Sequence, residues 1–191
     1  MNININRFIQ NNTYIDKNEK SIIKFGIDMM ITTIVAFIVA FIVAFIIAVI
    51  MGMIREGIVF LISIIMLRQY AGGYHASSQK VCAVLSCIIY LSGLIIIKNY
   101  TLYNSIQIMM CVISVFIIFL LSPVDNINNE LTRSERKYLR KKVRFFLSSE
   151  VLIFVILLIK ANEYWSGIIV ISMMIVAILV LAGFIENEIR G

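Results

Sequence analysis

The sequence has one histidine, one proline and one tryptophan, and only 15% of its 191 residues are charged. So little charge argues against a soluble domain, in which about a quarter of the residues are charged. A single histidine disfavours a zinc enzyme, because zinc sites need three or four histidine, cysteine or carboxylate ligands. No phosphate-binding loop of the G-x-x-x-x-G-K type occurs. We therefore expect no metal, no other cofactor and no nucleic-acid partner.

The composition predicts a single integral membrane domain covering residues 1–191. Hydrophobic residues make up 61% of the chain, and the mean hydropathy is +0.96. The cysteine count is odd, which predicts one reactive thiol and two packing residues, not a disulfide framework. These cysteines are Cys82, Cys87 and Cys111. Residues 1–26 contain no cleavable apolar core and are interpreted as a cytoplasmic arm, either solvated or lying in the lipid headgroup layer.

Apolar runs predict an all-α polytopic membrane protein with about six transmembrane segments. These are 29–51, 57–67, 81–97, 105–121, 143–159 and 168–184. The second run has eleven residues, fewer than the roughly 20 that cross a bilayer. We expect either a short, tilted crossing from Ile54 to Tyr70 or a segment that re-enters. In the first run, V-A-F repeats every four residues, which indicates either an alanine packing face or simple low-complexity apolar sequence.

The orientation follows from the basic loop at 125–144, which carries seven basic and three acidic side chains. Positively charged loops remain in the cytoplasm, so we place this loop and the N-terminal arm on that side. Four segments then separate them, and both termini are cytoplasmic. The polar residues 68–80 also lie on the cytoplasmic side of a multi-pass protein in the cell membrane, with lipid as its surroundings.

Residues 68–82, R-Q-Y-A-G-G-Y-H-A-S-S-Q-K-V-C, form a polar island between two apolar stretches. Polar and ionisable groups at membrane depth are costly, so such a cluster indicates a functional site. His75 and Cys82 together predict a Cys-His peptidase. A neighbouring imidazole produces the nucleophilic thiolate and can return the proton to a leaving amine.

The spacing between these two residues constrains the local structure. Seven helical residues rise about 10.5 Å, too far for a direct hydrogen bond between His75 and Cys82. We therefore expect His75 to precede the helix, with Ser77 or Ser78 as the N-cap. The pair Gly72-Gly73 would let the backbone fold back and bring the imidazole over the thiol.

The same stretch resembles the accessory gene regulator B (AgrB) family. The resemblance is carried by the pattern R-x-x-A-G-G-x-H with a cysteine seven residues after the histidine. The segments K-F-G-I-D (24–28) and S-P-V-D (122–125) also look like that family. The chain departs from it after S-P-V-D, where it has N-E-L at 129–131 and family members commonly carry a second proline.

This resemblance implies a membrane-embedded cysteine endopeptidase acting in quorum sensing. It would cleave the C-terminal part from an AgrD-type autoinducing peptide precursor and keep the remainder as a thioester on Cys82, with His75 as general base and acid. A substrate side chain would then close a thiolactone or lactone ring.

Arg68 would hold a substrate carboxylate or the strand end, and Gln69 or nearby backbone N–H groups would stabilise the oxyanion. The substrate-binding or oxyanion candidates are Arg68, Gln69, Gly72 and Gly73. A homodimer is compatible with the resemblance.

The competing hypothesis is a non-enzymatic membrane protein, either a small transporter or an assembly scaffold. On that interpretation residues 68–78 form a broken helix that lines a substrate path, and His75 relays protons. No inverted repeat is visible in the sequence, which disfavours this alternative.

The orientation leads to a direct prediction for reporter fusions. A reporter fused near Asn129 should be active on the cytoplasmic side and one fused near Asn99 on the outside, because three predicted segments precede Asn99 and four precede Asn129. A cytoplasmic signal at Asn99 would contradict the six-segment arrangement.

Overall fold

A computed structural model of the chain describes residues 38–74, 79–99, 103–124 and 132–190. The chain divides into two compact units, Met1–Ile42 and Val43–Gly191. Only residues 38–42 of the first unit are described, and they begin a helix. The N-terminal arm, His75, the two candidate N-cap serines and residues 125–131 of the basic loop lie outside the described residues.

The described residues form six α-helices and no strands. In chain order these are α1 (Ile38–Met51), α2 (Ile54–Ala71), α3 (Gln79–Asn99), α4 (Asn104–Leu121), α5 (Arg133–Ile159) and α6 (Glu163–Arg190). Among the described helices, α3, α4 and α6 are long and apolar enough to cross a membrane. The all-helical membrane architecture predicted from the sequence is confirmed, whereas the total of six spans stays a prediction.

Helix α6 is the centre of the second unit and packs against α2, α3, α4 and α5. Its central stretch is buried nearly all round, as at Val170, Met173 and Val176, each with no exposed surface. A helix that is apolar on every side is expected to be surrounded by other helices. The outer helices, in contrast, present large apolar side chains such as Ile88 and Phe116 outward, as lipid-facing helices do.

Small residues allow α1, α2 and α3 to approach closely. Ala44 and Ala48 of α1 are buried, while Phe45 is 48% exposed. The described part of this helix thus packs through its alanines, as the packing-face interpretation expected, while Ala36 of the repeat lies outside the described residues. A Cβ atom on Gly57 would lie 2.9 Å from the Cβ of Ala48, which explains why glycine occupies this contact.

Helix α2 is longer than the apolar run that predicted it. It spans 18 residues, or about 27 Å at 1.5 Å per residue, which is close to the hydrocarbon thickness. The polar residues at its two ends, including Arg55 and Arg68, are part of the helix. The element is thus one continuous helix that ends at the Gly-Gly break, and whether it crosses the membrane or re-enters stays a prediction.

The basic loop predicted at 125–144 is wrong in its second half, because residues 133–144 are helical and continue into the apolar part of α5. A capping box starts this helix: the Thr132 hydroxyl accepts a hydrogen bond from the Glu135 N–H, and the Thr132 N–H donates to the Glu135 carboxylate at 2.9 Å. The Thr132 hydroxyl also donates to this carboxylate at 2.7 Å, and the two hydrogen bonds from its hydroxyl and N–H lower the pKa of the exposed Glu135 carboxyl. Lysine, arginine and leucine, which form helices readily, fill the following turns.

The tight packing of α2 against α3 can be tested at Gly93. A Cβ atom there would lie 2.6 Å from Cε1 of Phe60, which is fully buried. We expect Gly93→Ala to lower the free energy of unfolding by roughly 1–3 kcal/mol, because the ring has no room to move. The measurement is chemical unfolding of the detergent-solubilised protein. The neighbouring exposed Ser92→Ala is the matched control, expected within about 0.5 kcal/mol of wild type; an equal loss in both variants would contradict the packing.

Candidate functional site

Helix α2 ends at a backbone break formed by two glycines. Gly72 has a φ of +72° and Gly73 a φ of +115°, conformations that residues with a Cβ atom rarely adopt. The Gly72 N–H donates to the carbonyl of Arg68 at 3.2 Å and closes the last turn. The break predicted at Gly72-Gly73 is therefore present, and it turns the chain out of the helix immediately before position 75.

Two other parts of the fold hold the backbone at this break. The Val124 N–H donates to the carbonyl of Ala71 at 3.0 Å, and Val124 pairs with Gly72 in a parallel bridge. On the other side, the Tyr74 N–H donates to the carbonyl of Leu179 in α6 at 2.9 Å. These contacts satisfy backbone groups that would otherwise be left without partners at membrane depth.

Both contacts require glycine. A Cβ atom on Gly72 would overlap the carbonyl oxygen of Val124, and one on Gly73 would lie 2.8 Å from the carbonyl oxygen of Leu179. A third glycine completes the arrangement from the α6 side. A Cβ atom on Gly183 would lie 2.5 Å from both the Gly73 carbonyl carbon and the Tyr74 nitrogen. Gly73 and Gly183 thus permit the break and α6 to touch through their backbones, and Gly72 permits the contact with Val124.

Arg68 lies in the last turn of α2 and connects the break to Cys82. Its Nη2 atom donates to the carbonyl of Tyr74 at 2.8 Å, and its guanidinium interacts electrostatically with Cys82. The second terminal nitrogen, Nη1, is buried and has no hydrogen-bond partner among the described residues. One nitrogen of the planar guanidinium thus holds the backbone by a hydrogen bond, while the other can donate a hydrogen bond to a further acceptor.

Cys82 is the fourth residue of α3 as described and is half-buried. The two other thiols are placed differently. Cys87 is half-buried one turn further along the helix, and Cys111 is buried in the core on α4. All three cysteines are free thiols, which agrees with the expected absence of a disulfide framework among them.

The remaining predicted site residues divide between exposed and undescribed positions. Gln69 is exposed on α2. His75 lies outside the described residues, as do the candidate N-caps Ser77 and Ser78, so the pairing of His75 with Cys82 stays a prediction. In the part of the chain that the structure describes, no group of three or more histidine, cysteine or acidic residues could hold a metal ion.

Two residues with a role in the fold were not predicted from the sequence, one at the break and one in the core. Gly183 is an isolated glycine in an apolar helix. The sequence around it does not indicate which other segment approaches it. Glu150 had a clear signal, since it is the one acidic residue within the predicted span 143–159. The structure places it in the core, hydrogen-bonded to Ser63 of α2.

These features define a multi-pass helical membrane protein with a thiol and a guanidinium gathered at a broken helix. A scan against protein families matches residues 2–180 to accessory gene regulator B. The chain therefore belongs to the AgrB family. Family membership gives it a role in the accessory gene regulator system and implies association with an AgrD-like precursor at the membrane.

Curated relatives come from Clostridium perfringens. AgrB-like protein 2 of strain 13 is 29% identical over 163 residues, covering 79% of this chain and 73% of that protein. An AgrB-like protein of strain SM101 is 28% identical over 134 residues, covering 66% of this chain and 61% of that protein. No solved structure matches the chain.

Two glycines with similar positive φ angles allow a test of the close approach at the break. Gly52 has a φ of +68° and nothing within 4 Å of a Cβ atom, whereas Gly72 has a φ of +72° and faces Val124. Gly52→Ala should cost about 1–2 kcal/mol of unfolding free energy from the backbone conformation alone. Gly72→Ala should cost roughly 1–3 kcal/mol more, because the new methyl group overlaps the Val124 carbonyl. Equal losses on chemical unfolding would show that the contact with Val124 is unimportant.

Proposed function

We propose that the protein is a membrane cysteine endopeptidase that processes an AgrD-type precursor in quorum sensing. Cys82 is the nucleophile and His75 the general base and acid. The enzyme removes the C-terminal part of the precursor, keeps the remainder as a thioester, and promotes closure of a thiolactone or lactone ring. The polar site and both termini face the cytoplasm.

The arrangement around Arg68 is the observation that supports this proposal best. Arg68 binds the carbonyl of Tyr74, the residue directly before His75, and interacts electrostatically with Cys82. Arg68 is thus hydrogen-bonded to the segment that leads to His75 and interacts electrostatically with the residue proposed as nucleophile. A Cys-His dyad at this place would account for a broken helix and a partly buried guanidinium, both costly at membrane depth.

In the first chemical step the Cys82 thiolate attacks the scissile carbonyl carbon of the precursor. A carbon–sulfur bond forms, and negative charge develops on the carbonyl oxygen. A hydrogen-bond donor aimed at that oxygen lowers the barrier. The unpartnered Nη1 of Arg68 and the backbone N–H groups near Gly73 are the candidates, and the exposed Gln69 is a weaker one. The carbon–nitrogen bond then breaks as His75 protonates the leaving amine.

In the second step a thiol or hydroxyl of the retained peptide attacks the thioester. The new carbon–sulfur or carbon–oxygen bond closes the ring, the bond to Cys82 breaks, and the enzyme thiolate is restored. His75 accepts the proton of the attacking group, so atoms and protons balance over the cycle. The acyl group passes from one nucleophile to another without hydrolysis, so the retained peptide leaves the enzyme as a ring and not as a free acid.

The three thiols provide the test of this mechanism. We expect Cys82→Ala and His75→Ala each to abolish processing of a labelled precursor peptide, because the two residues act as a unit. Cys87→Ala and Cys111→Ala are the matched controls and should retain most of the activity, since Cys87 lies further along α3 and Cys111 is buried in the core on α4. With a precursor that cannot cyclise, the wild-type enzyme should accumulate an adduct that hydroxylamine releases.

Three results would contradict the assignment: an adduct that persists in Cys82→Ala, processing that depends on Cys111, or normal processing in His75→Ala. A Cys82→Ser variant helps to interpret a loss of activity. Its hydroxyl is harder to activate, so a slow oxygen ester resistant to mild hydroxylamine would show that the substrate still binds.

A further inference from the structure

A second polar group lies in the core, away from the break at Gly72-Gly73. It joins three helices through Ser63 of α2, Glu150 of α5 and Ser172 of α6, and these side chains are between 0% and 6% exposed. On α5 the glutamate occupies a stripe of buried residues with Val143, Leu147 and Phe154. Nothing in the proposed peptidase mechanism uses this cluster, which we call the Glu150 cluster.

The oxygens of the Glu150 cluster form a chain of three short contacts. Glu150 Oε1 and Ser63 Oγ are 2.8 Å apart, Ser63 Oγ contacts Ser172 Oγ, and Ser172 Oγ lies 2.6 Å from the carbonyl oxygen of Ile169. Each contact needs one proton between its two oxygens. The two serine hydroxyls supply two protons. An ionised glutamate supplies none, so one pair of oxygens would face each other with lone pairs only.

We propose that Glu150 is a proton-binding site, occupied in the folded protein at neutral pH. The protonated carboxyl donates to Ser63, the Ser63 hydroxyl donates to Ser172, and the Ser172 hydroxyl donates to the Ile169 carbonyl. This single direction gives every contact its proton. The cluster then acts as a neutral clamp that holds α5 to α2 and α2 to α6.

The electrostatic surroundings agree with a neutral carboxyl. Burial, the larger influence on Glu150, favours the neutral form, the hydrogen bond with Ser63 opposes it, and no charged side chain among the described residues contributes. Its second oxygen, Oε2, is buried without a hydrogen-bond partner in the same residues. An ionised carboxylate would leave a full charge on this site, whereas a neutral carbonyl oxygen without a partner costs far less.

The helices packed around the cluster offer little else that titrates. Helix α2 has no titratable side chain between Glu56 and Arg68, α5 has no other between 145 and 159, and α6 has none between 166 and 185. Helix α4 contributes only the thiol of Cys111. Among these described stretches, therefore, the proton on Glu150 has no nearby base to which it could pass.

A metal cation fits the same oxygens less well. Ser63 and Ser172 contact each other directly, and an ion bound by both hydroxyls would hold these oxygens further apart. A proton is the occupant that the geometry favours, and sodium ion is the alternative that the experiment must separate from it.

The first test is infrared spectroscopy of the full-length protein in lipid at neutral pH. We expect a carbonyl stretch of a protonated carboxyl group that disappears in Glu150→Gln and remains in Glu188→Gln, an exposed carboxyl on α6. Glutamine keeps a neutral donor toward Ser63, so this variant should fold. Absence of the band in wild type, or its survival in Glu150→Gln, would overturn the proposal.

The second test uses the pH dependence of thermal unfolding. A folded state that keeps the proton binds one more proton than the unfolded chain above about pH 4, where an unfolded glutamate ionises. Stability must then fall as the pH rises. We expect the midpoint of wild type to decrease relative to that of Glu150→Gln by several degrees between about pH 4 and pH 7, while Glu188→Gln shows no such trend.

If the difference in unfolding midpoint between wild type and Glu150→Gln did not change with pH, the folded protein would hold no extra proton. That result would overturn the proposal. Sodium would be the occupant instead if sodium chloride, but not choline chloride, raised the unfolding temperature of wild type. Glu150→Gln should then show no such rise. Neither test depends on peptidase activity, so failure here and failure of the proposed function are distinguishable.

Discussion

The backbone contact between the Gly72-Gly73 break and α6 is the constraint on which the candidate site depends. A helix that ends at membrane depth leaves carbonyl and N–H groups that water cannot satisfy. Here Leu179 accepts from Tyr74, and Ala71 accepts from Val124. Because a methyl group at Gly72, Gly73 or Gly183 would occupy the space of neighbouring backbone atoms, the break exists only where the two segments carry no side chains.

The central position of α6 follows from the same requirement. A helix that supplies a backbone acceptor to a broken neighbour must lie beside it without intervening side chains, and it must be held rigidly there. Packing against four other helices provides that rigidity. Buried polar side chains such as Gln107, Glu150 and Ser172 accordingly lie where helices meet α6 or α2. The break is thus supported by the whole unit and not by its own residues alone.

Helices and their approximate bounds could be predicted from the sequence because apolar runs of sufficient length leave few alternatives in a membrane. The Gly-Gly break was predictable too, since it interrupts an apolar run beside ionisable residues. The helical start of α5 could have been predicted from Thr132 and Glu135, which have the spacing of a capping box, but the density of positive charge suggested a loop.

The segment that packs against the break could not be predicted. Gly183 acts across 110 residues of sequence from Gly73, and no local pattern records such a contact.

Arg68 on α2 and Glu150 against α2 are kept apart, and this separation matters for the proposed chemistry. Ser63 and Arg68 are five residues apart, about 7.5 Å along the helix. Arg68 is bound by a neutral backbone carbonyl and interacts electrostatically with Cys82, while Glu150 is bound by a neutral hydroxyl and interacts with no charged group among the described residues. Had the guanidinium paired with a carboxylate, its field at the thiol would be largely cancelled. A neutral Glu150 clamps the helices without such cancellation, so the positive charge of Arg68 remains available where a thiolate and an oxyanion would form.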